Sequence, residues 1–302
     1  GDVNITTGGL SLAAPVLARG TTGDGGNINI NTLFKSWEVV DALLDVSGAS
    51  GGTIEHFAGQ EITTSGEYLA IGTAGAGGSI NVTANTLKFM SNTIDASGTM
   101  GGGSIRLGGE YQGGKNLAVD EILNAKFLLM TDATNITART TGTDGAGGRV
   151  IAWADQYTFV SGHFDVTPGT NSGAGGFVEV SSGETLAFDG SVRAGVDNRT
   201  GTLLLDPQSI TVQTNCGNGF ANNDKCKTIN RITAFANNHS QHVSTTPDTI
   251  TDVLDGGTAV ELQAYRDITV SHALVIENNS ADNGGNGGDL TLWAGRRITI
   301  NA

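Results

Sequence analysis

The chain is short of proline, basic charge, cysteine and long apolar runs, and each shortage closes off a class of protein. Its 302 residues include only 4 proline against 46 glycine, so the glycine belongs to neither a collagen repeat nor a proline-rich linker. No stretch approaches the roughly 18 to 20 uninterrupted apolar residues of a membrane helix, and the first residues lack the charged and apolar regions of a secretory signal. Membrane insertion is therefore not expected. Lysine and arginine number 16 against 30 aspartate and glutamate, a net charge of −14. Without a basic stripe to neutralise phosphate, nucleic acid is not an expected partner. An acidic surface of this kind keeps a chain soluble and resists self-association.

What the chain has instead is a phrase that returns: two glycines, then apolar residues two and four positions past the second. Gly26 is followed by Ile28 and Ile30, Gly78 by Ile80 and Val82, Gly103 by Ile105 and Leu107, Gly176 by Val178 and Val180, and Gly288 by Leu290 and Leu292. Gly201 follows the same offsets with Leu203 and Leu205, while Gly52 and Gly148 fit more loosely with Ile54/His56 and Val150/Ala152. The intervals are 26 (26 to 52), 26 (52 to 78), 25 (78 to 103), 45 (103 to 148), 28 (148 to 176) and 25 (176 to 201). A period near 26 marks one supersecondary unit, repeated.

Within a unit the apolar alternation appears three times. The unit opened by Gly78 carries Ile80/Val82, Leu87/Phe89 and Ile94/Ala96; that opened by Gly176 carries Val178/Val180, Leu186/Phe188 and Val192/Ala194. Period-two alternation means a strand with one buried and one wet face. Three such strands in 26 residues cannot close a core alone, but they can if the chain winds as a coil and each strand pairs in parallel with its equivalent one turn away. The expected fold is all-β: a parallel β-helix, a three-sided solenoid, running as one body over residues 1–302. Ile80, Ile105, Val150 and Val178 should form one inward stack. The corner glycines are expected to supply positive φ and to let stacked corners approach closely. Because the chain opens at Gly1-Asp2-Val3-Asn4 in mid-pattern and closes on an unfinished coil, it is expected to be a piece of a longer protein.

Two places break the rhythm. The interval from Gly103 to Gly148 exceeds one coil by about 19 residues, and residues 108–130 read as a degraded coil plus a short lateral loop, with Lys126-Phe127-Leu128-Leu129-Met130 as strand. The larger break leaves residues 213–250 as an irregular loop excursion, with a short helical turn at Thr251-Asp252-Val253-Leu254-Asp255-Gly256 beside it. Insertions in a solenoid become loops on one face and are often its binding surface. This excursion brings together Phe220, Phe235, His239 and His242, the candidate binding surface, and it holds both cysteines, Cys216 and Cys226. Cysteines and histidines together offer four metal ligands, but the spacing lacks the tight pair of cysteines typical of zinc sites; a disulfide between Cys216 and Cys226 is the simpler reading, and it implies an oxidising compartment.

Other chemistry is thinly represented. Gly284-Gly285-Asn286-Gly287-Gly288-Asp289 contains the start of a calcium-binding repeat, but a single copy does not hold calcium between turns, and Thr291 stands where an apolar residue should follow. No metal and no cofactor is expected. Polysaccharide-cleaving β-helices need clustered acidic groups on adjacent coils. Here Asp95 and Asp165 are separated by at least one coil, Arg193 holds the equivalent place further on, and no acid–base partner accompanies them, so no enzyme is expected. Six Asn-x-Ser/Thr sequons, among them Asn81, fit a solvated β surface and leave modification open.

The phrases Gly147-Gly148-Arg149-Val150-Ile151-Ala152-Trp153-Ala154-Asp155, Gly175-Gly176-Phe177-Val178-Glu179-Val180-Ser181-Ser182 and Gly201-Thr202-Leu203-Leu204-Leu205-Asp206-Pro207, followed by Asp267-Ile268-Thr269-Val270 and Leu290-Thr291-Leu292-Trp293-Ala294-Gly295, come in an order that resembles the shaft of filamentous-haemagglutinin-type exoproteins. The resemblance covers most of residues 20–302. It implies a right-handed β-helix, secreted or held at the outer surface of a Gram-negative cell, and exported by two-partner secretion through an outer-membrane pore-type transporter. It implies an adhesin whose partner is a host cell-surface receptor or a glycan. Two other roles are compatible with it: a host haem-carrier-binding exoprotein, and a passive structural shaft displaying a distal domain. The family's amino-terminal secretion domain is not evident in these residues.

Overall fold

The computed structural model describes residues 1–114, 123–214, 245–276 and 287–301. Nearly all of it is β: parallel strands wind into a β-solenoid of about 9 turns. The first face is an unbroken ladder of ten parallel strands running from Asp2–Thr7 through Asn27–Thr32, Thr53–Thr64, Ser79–Phe89, Ser104–Leu107, Arg149–Ala154, Phe177–Ser182, Thr202–Leu205 and Ala259–Ala264 to Leu290–Ala294. At about 4.8 Å per strand the nine steps span roughly 43 Å. A third face stacks seven strands from Pro15–Leu17 to Ser191–Arg193. Between these lies the second face, whose strands Thr53–Thr64 and Ser79–Phe89 run on continuously from the first, with a register shift between Ala58 and Glu61.

The apolar alternation positions the core. Val3, Ile28, Ile54, Ile80, Ile105, Val150, Val178, Leu203, Val260 and Leu290 are register partners in succession, so the expected inward stack is present and extends over the whole ladder. On the third face Val16, Leu44, Tyr68, Ile94, Ile136, Phe164 and Val192 do the same. All but the outermost of these side chains are buried in one continuous hydrophobic cluster, so each coil completes its core with its neighbours rather than within itself.

The corner glycines serve close approach rather than unusual dihedrals. A Cβ at Gly78 would lie 2.0 Å from the Gly52 carbonyl oxygen, and one at Gly103 would lie 2.2 Å from that of Gly78. Positive φ occurs elsewhere, at Gly108, Gly113, Gly114, Gly145, Gly173 and Gly257. Of the two reasons expected for these corner glycines, the stacking distance is the one that applies.

The stack continues across both interruptions. Ser104–Leu107 pairs with Ser79–Val82, and Phe127–Met130 pairs with Thr86–Phe89 of the same preceding strand. Asn135–Thr137 then sits directly between Thr93–Asp95 and His163–Asp165. Residues 103–148 therefore advance the stack by one coil, which the chain leaves after Leu107 and rejoins at Phe127. Further along, Ile210–Val212 pairs with Ile268–Val270, and Val212 also bridges Thr245, so the two ends of the long excursion meet on adjacent backbone. Helix α1 (Pro247–Asp255) starts immediately afterwards, with Thr246 as its N-cap accepting from the Thr249 N–H and Pro247 in its first turn. Its Ile250, Val253 and Leu254 join the core. The helix is longer than the short turn expected and begins within residues 213–250.

Candidate functional site

An open groove of about 540 Å³ runs along the outside of the third face. Parallel pairing in exact register turns residue positions into columns. One outward column is Asn135, His163 and Ser191; its neighbour is Asp45, Leu69, Asp95, Thr137, Asp165 and Arg193. Asp95 and Asp165 thus share a face, with the Thr137 rung between them, roughly 9.6 Å apart by strand spacing. Both carboxylates hold the coil corner that follows them: Asp95 Oδ1 accepts the Ser97 N–H at 2.7 Å, and Asp165 Oδ1 accepts the Thr167 N–H at 3.1 Å and its hydroxyl at 2.8 Å. Asp45 does the same with Ser47 at 2.8 Å. The signal was present in the sequence as Asp-x-Ser/Thr at the end of the third strand, a side-chain turn that satisfies corner backbone. The Arg139 guanidinium lies 3.8 Å from Asp165, and His163 Nδ1 is 2.8 Å from Ser191 Oγ. Arg193 is exposed and has no ion-pair partner among the described residues.

A second feature lies on the outside of the first face, where the chain from Gly108 passes through a 3-10 turn at Tyr111–Gly114. Gln112 sits there with φ 49°, a conformation that its side chain tolerates poorly. Its backbone N–H points at the carboxylate of Glu179, 3.0 and 3.3 Å from the two oxygens, while its side-chain amide donates to Gln263 at 3.1 Å. The Tyr111 and Phe177 rings pack against each other with centres 6.0 Å apart, and the Arg149 guanidinium lies over both, 5.1 Å from the centre of Tyr111 and 4.9 Å from that of Phe177. Glu179 is fully buried, and its pKa is pushed up to about 7. Burial is the main cause and Asp206 adds to it; the Gln112 N–H, the Ser181 hydroxyl and Arg149 oppose it. Strand alternation alone makes Glu179 a solvated residue. The overlooked signal was the neighbouring strand: Val150-Ile151-Ala152-Trp153-Ala154 is apolar at successive positions and buried throughout, the mark of a strand covered on both faces.

The hollow of the solenoid also contains a polar group of residues. His56 occupies an inward position between Ile30 and Val82, where every other member of its column is aliphatic. Its Nδ1 lies 3.2 Å from the Tyr68 hydroxyl and 3.2 Å from Glu38 Oε1, and its Nε2 lies 3.1 Å from Ser36 Oγ. Tyr68 donates to Glu38 Oε2 at 2.5 Å. Burial lowers the His56 pKa, partly opposed by Glu38, and burial raises that of Tyr68 well above the usual phenol range. This cluster is sealed in the core and ties two adjacent coils together.

Cys216, Cys226, Phe220, Phe235, His239 and His242 lie outside the described residues. So do the first positions of the single calcium-type repeat; Thr291 is exposed and Asp289 is an outward corner residue. Asn81 points outward, bonded to the side chains of Glu55 and Arg106. Among the described residues no group of three metal-ligating side chains is assembled, and no helix is long and apolar enough to cross a membrane. No protein-family model matches the chain, and no curated protein matches it.

Proposed function

We propose that this chain is a non-enzymatic segment of a secreted or surface-exposed bacterial adhesin, which attaches to host cells, glycans or biofilm matrix and uses no cofactor. The observation that carries the reading is a ladder of ten parallel strands whose inward residues repeat while its outward residues change from rung to rung. Such a body holds varied side chains on a rigid frame, which suits recognition better than it suits chemistry. Asp95 and Asp165, the carboxylates best placed for hydrolysis, are each engaged by corner backbone, which weighs against an acid–base pair. The ordered phrases from Gly147 to Gly295 support export by a pore-type transporter to the cell surface. The proposed contact surface is the excursion carrying Phe220, Phe235, His239 and His242, whose two ends are anchored where Val212 bridges Thr245.

The test replaces residues 217–225 and 235–243 with short Gly/Ser segments, checks by circular dichroism that β structure survives, and measures attachment to host cells and a glycan panel. Attachment should fall to background. Undiminished attachment would remove the excursion as the contact surface, and no attachment by the unaltered chain would point to a passive shaft. Selective capture of a host haem carrier by the unaltered chain would favour the haem-carrier reading.

A further inference from the structure

We propose that the groove on the third face is a binding site in its own right, separate from the 213–250 excursion, and that it takes a linear glycan of low charge laid along the solenoid axis. The shape comes first. The groove is partly open, and its lining comes mostly from four successive coils, from Asp95 through Asn135 and His163 to Ser191, so it suits a chain lying across the rungs more than a compact ligand. Its rungs repeat about every 4.8 Å, close to the length of one sugar in an extended β-linked chain. Successive sugars would therefore meet successive rungs at a matching spacing, each with its own polar side chains, an advantage no globular ligand has.

The chemistry of the lining points the same way. Asn135, Thr137 and His163 offer amide, hydroxyl and imidazole groups, and the formal charges balance, with Arg139 and Arg193 against Asp95 and Asp165. Among these, the planar Asn135 amide, the carboxylates and the guanidinium groups bond vicinal hydroxyls through paired donors or acceptors, and Thr137 and His163 add single bonds. They are also held in place beforehand: Asp165 is tied to its corner by Thr167 and faces Arg139, and His163 is tied to Ser191. Groups already fixed lose little freedom when a ligand arrives. The backbone N–H and C=O groups under the groove are used in the parallel ladder, so a peptide cannot join this face as an added strand. The proposal does not depend on whether the parent protein is an adhesin.

The experiment is calorimetry of the unaltered chain with β-1,4-linked hexamers of glucose and of N-acetylglucosamine, alongside hexagalacturonate as an acidic counterpart. At least one neutral hexamer should bind saturably and more tightly than the acidic one. Asn135 and Arg193 face outward and are exposed, so Asn135→Ala with Arg193→Ala should keep the fold by circular dichroism yet weaken binding at least tenfold; His163→Ala provides an independent second variant. The chain with Gly/Ser segments at 217–225 and 235–243 should bind the hexamer as the unaltered chain does. Absence of binding by both neutral hexamers, preference for hexagalacturonate, or binding that survives both groove variants would overturn the proposal. Cell attachment that persists under those results would leave the adhesin reading standing without the groove.

Discussion

Glu179 stands at an outward position of its strand, yet the turn from Gly108 to Gly114 lies over it and removes it from water. Taking a carboxylate out of water favours its protonated form. Its folded pKa of about 7 lies above the ordinary glutamate value of 4.5, so the folded state binds more protons than the unfolded state between those values. The stability linked to this group is therefore fully present below about pH 4.5 and is lost as pH rises through about 7, a change of about 3 kcal/mol. His56, inside the solenoid, works in the other direction. Its lowered pKa keeps the folded state neutral, so its contribution is lost as pH falls and the unfolded chain takes up the proton. Glu179→Gln keeps an acceptor for the Gln112 N–H without the charge. In that variant, opening of the turn, read as exchange of the Gln112 amide corrected for its intrinsic rate, should lose its rise between pH 5 and pH 8. At pH 8 the turn should be more protected than in the unaltered chain, and equal exchange at pH 8 would remove Glu179 as the cause.

At the scale of the coil, the corner decides what can be stacked. Gly78 has no positive φ to satisfy; it is glycine because the carbonyl of Gly52 occupies the place of a side chain. Gly78→Ala forces two corners apart and should cost about 2 to 3 kcal/mol in chemical denaturation, whereas alanine at Gly101, where a Cβ would find its nearest neighbour at 3.8 Å, should be close to neutral. A destabilisation of equal size at both positions would contradict the close-approach account. The coil itself was legible because its signal repeats: the offsets from Gly26, Gly78, Gly103 and Gly176 name the inward residues that the ladder then pairs. The groove was legible only in part. Asp95, Asp165 and Arg193 could be placed on one outward column, and Asp-x-Ser/Thr marks the corner bonds to Ser97 and Thr167, but the approach of Arg139 to Asp165 and of His163 to Ser191 depends on how side chains of adjacent coils lie. The burial of Glu179 was hidden because its cover, the Tyr111–Gly114 turn, arrives from a coil two rungs away in the ladder. Alternation within a strand reports its own two faces and carries no information about a loop that later folds over one of them.

For the whole molecule, the central claim is that intervals of very different length each advance the stack by one rung, so that the frame is continuous across both interruptions. Thr53, Ser79, Ser104, Arg149, Phe177, Thr202 and Ala259 are successive register partners on the outside of the first face. The most direct measurement is the distance between spin labels placed in pairs along that column. From a label at Thr53, one at Phe177 should lie about 19 Å away, one at Thr202 about 24 Å and one at Ala259 about 29 Å, apart from label length. Each step adds a single strand spacing, including the step from Thr202 to Ala259 that spans the excursion. An Ala259 distance longer by a second strand spacing, or a Thr202 distance lengthened by an extra rung within residues 103–148, would contradict the continuous stack and with it the frame on which both proposed binding surfaces rest.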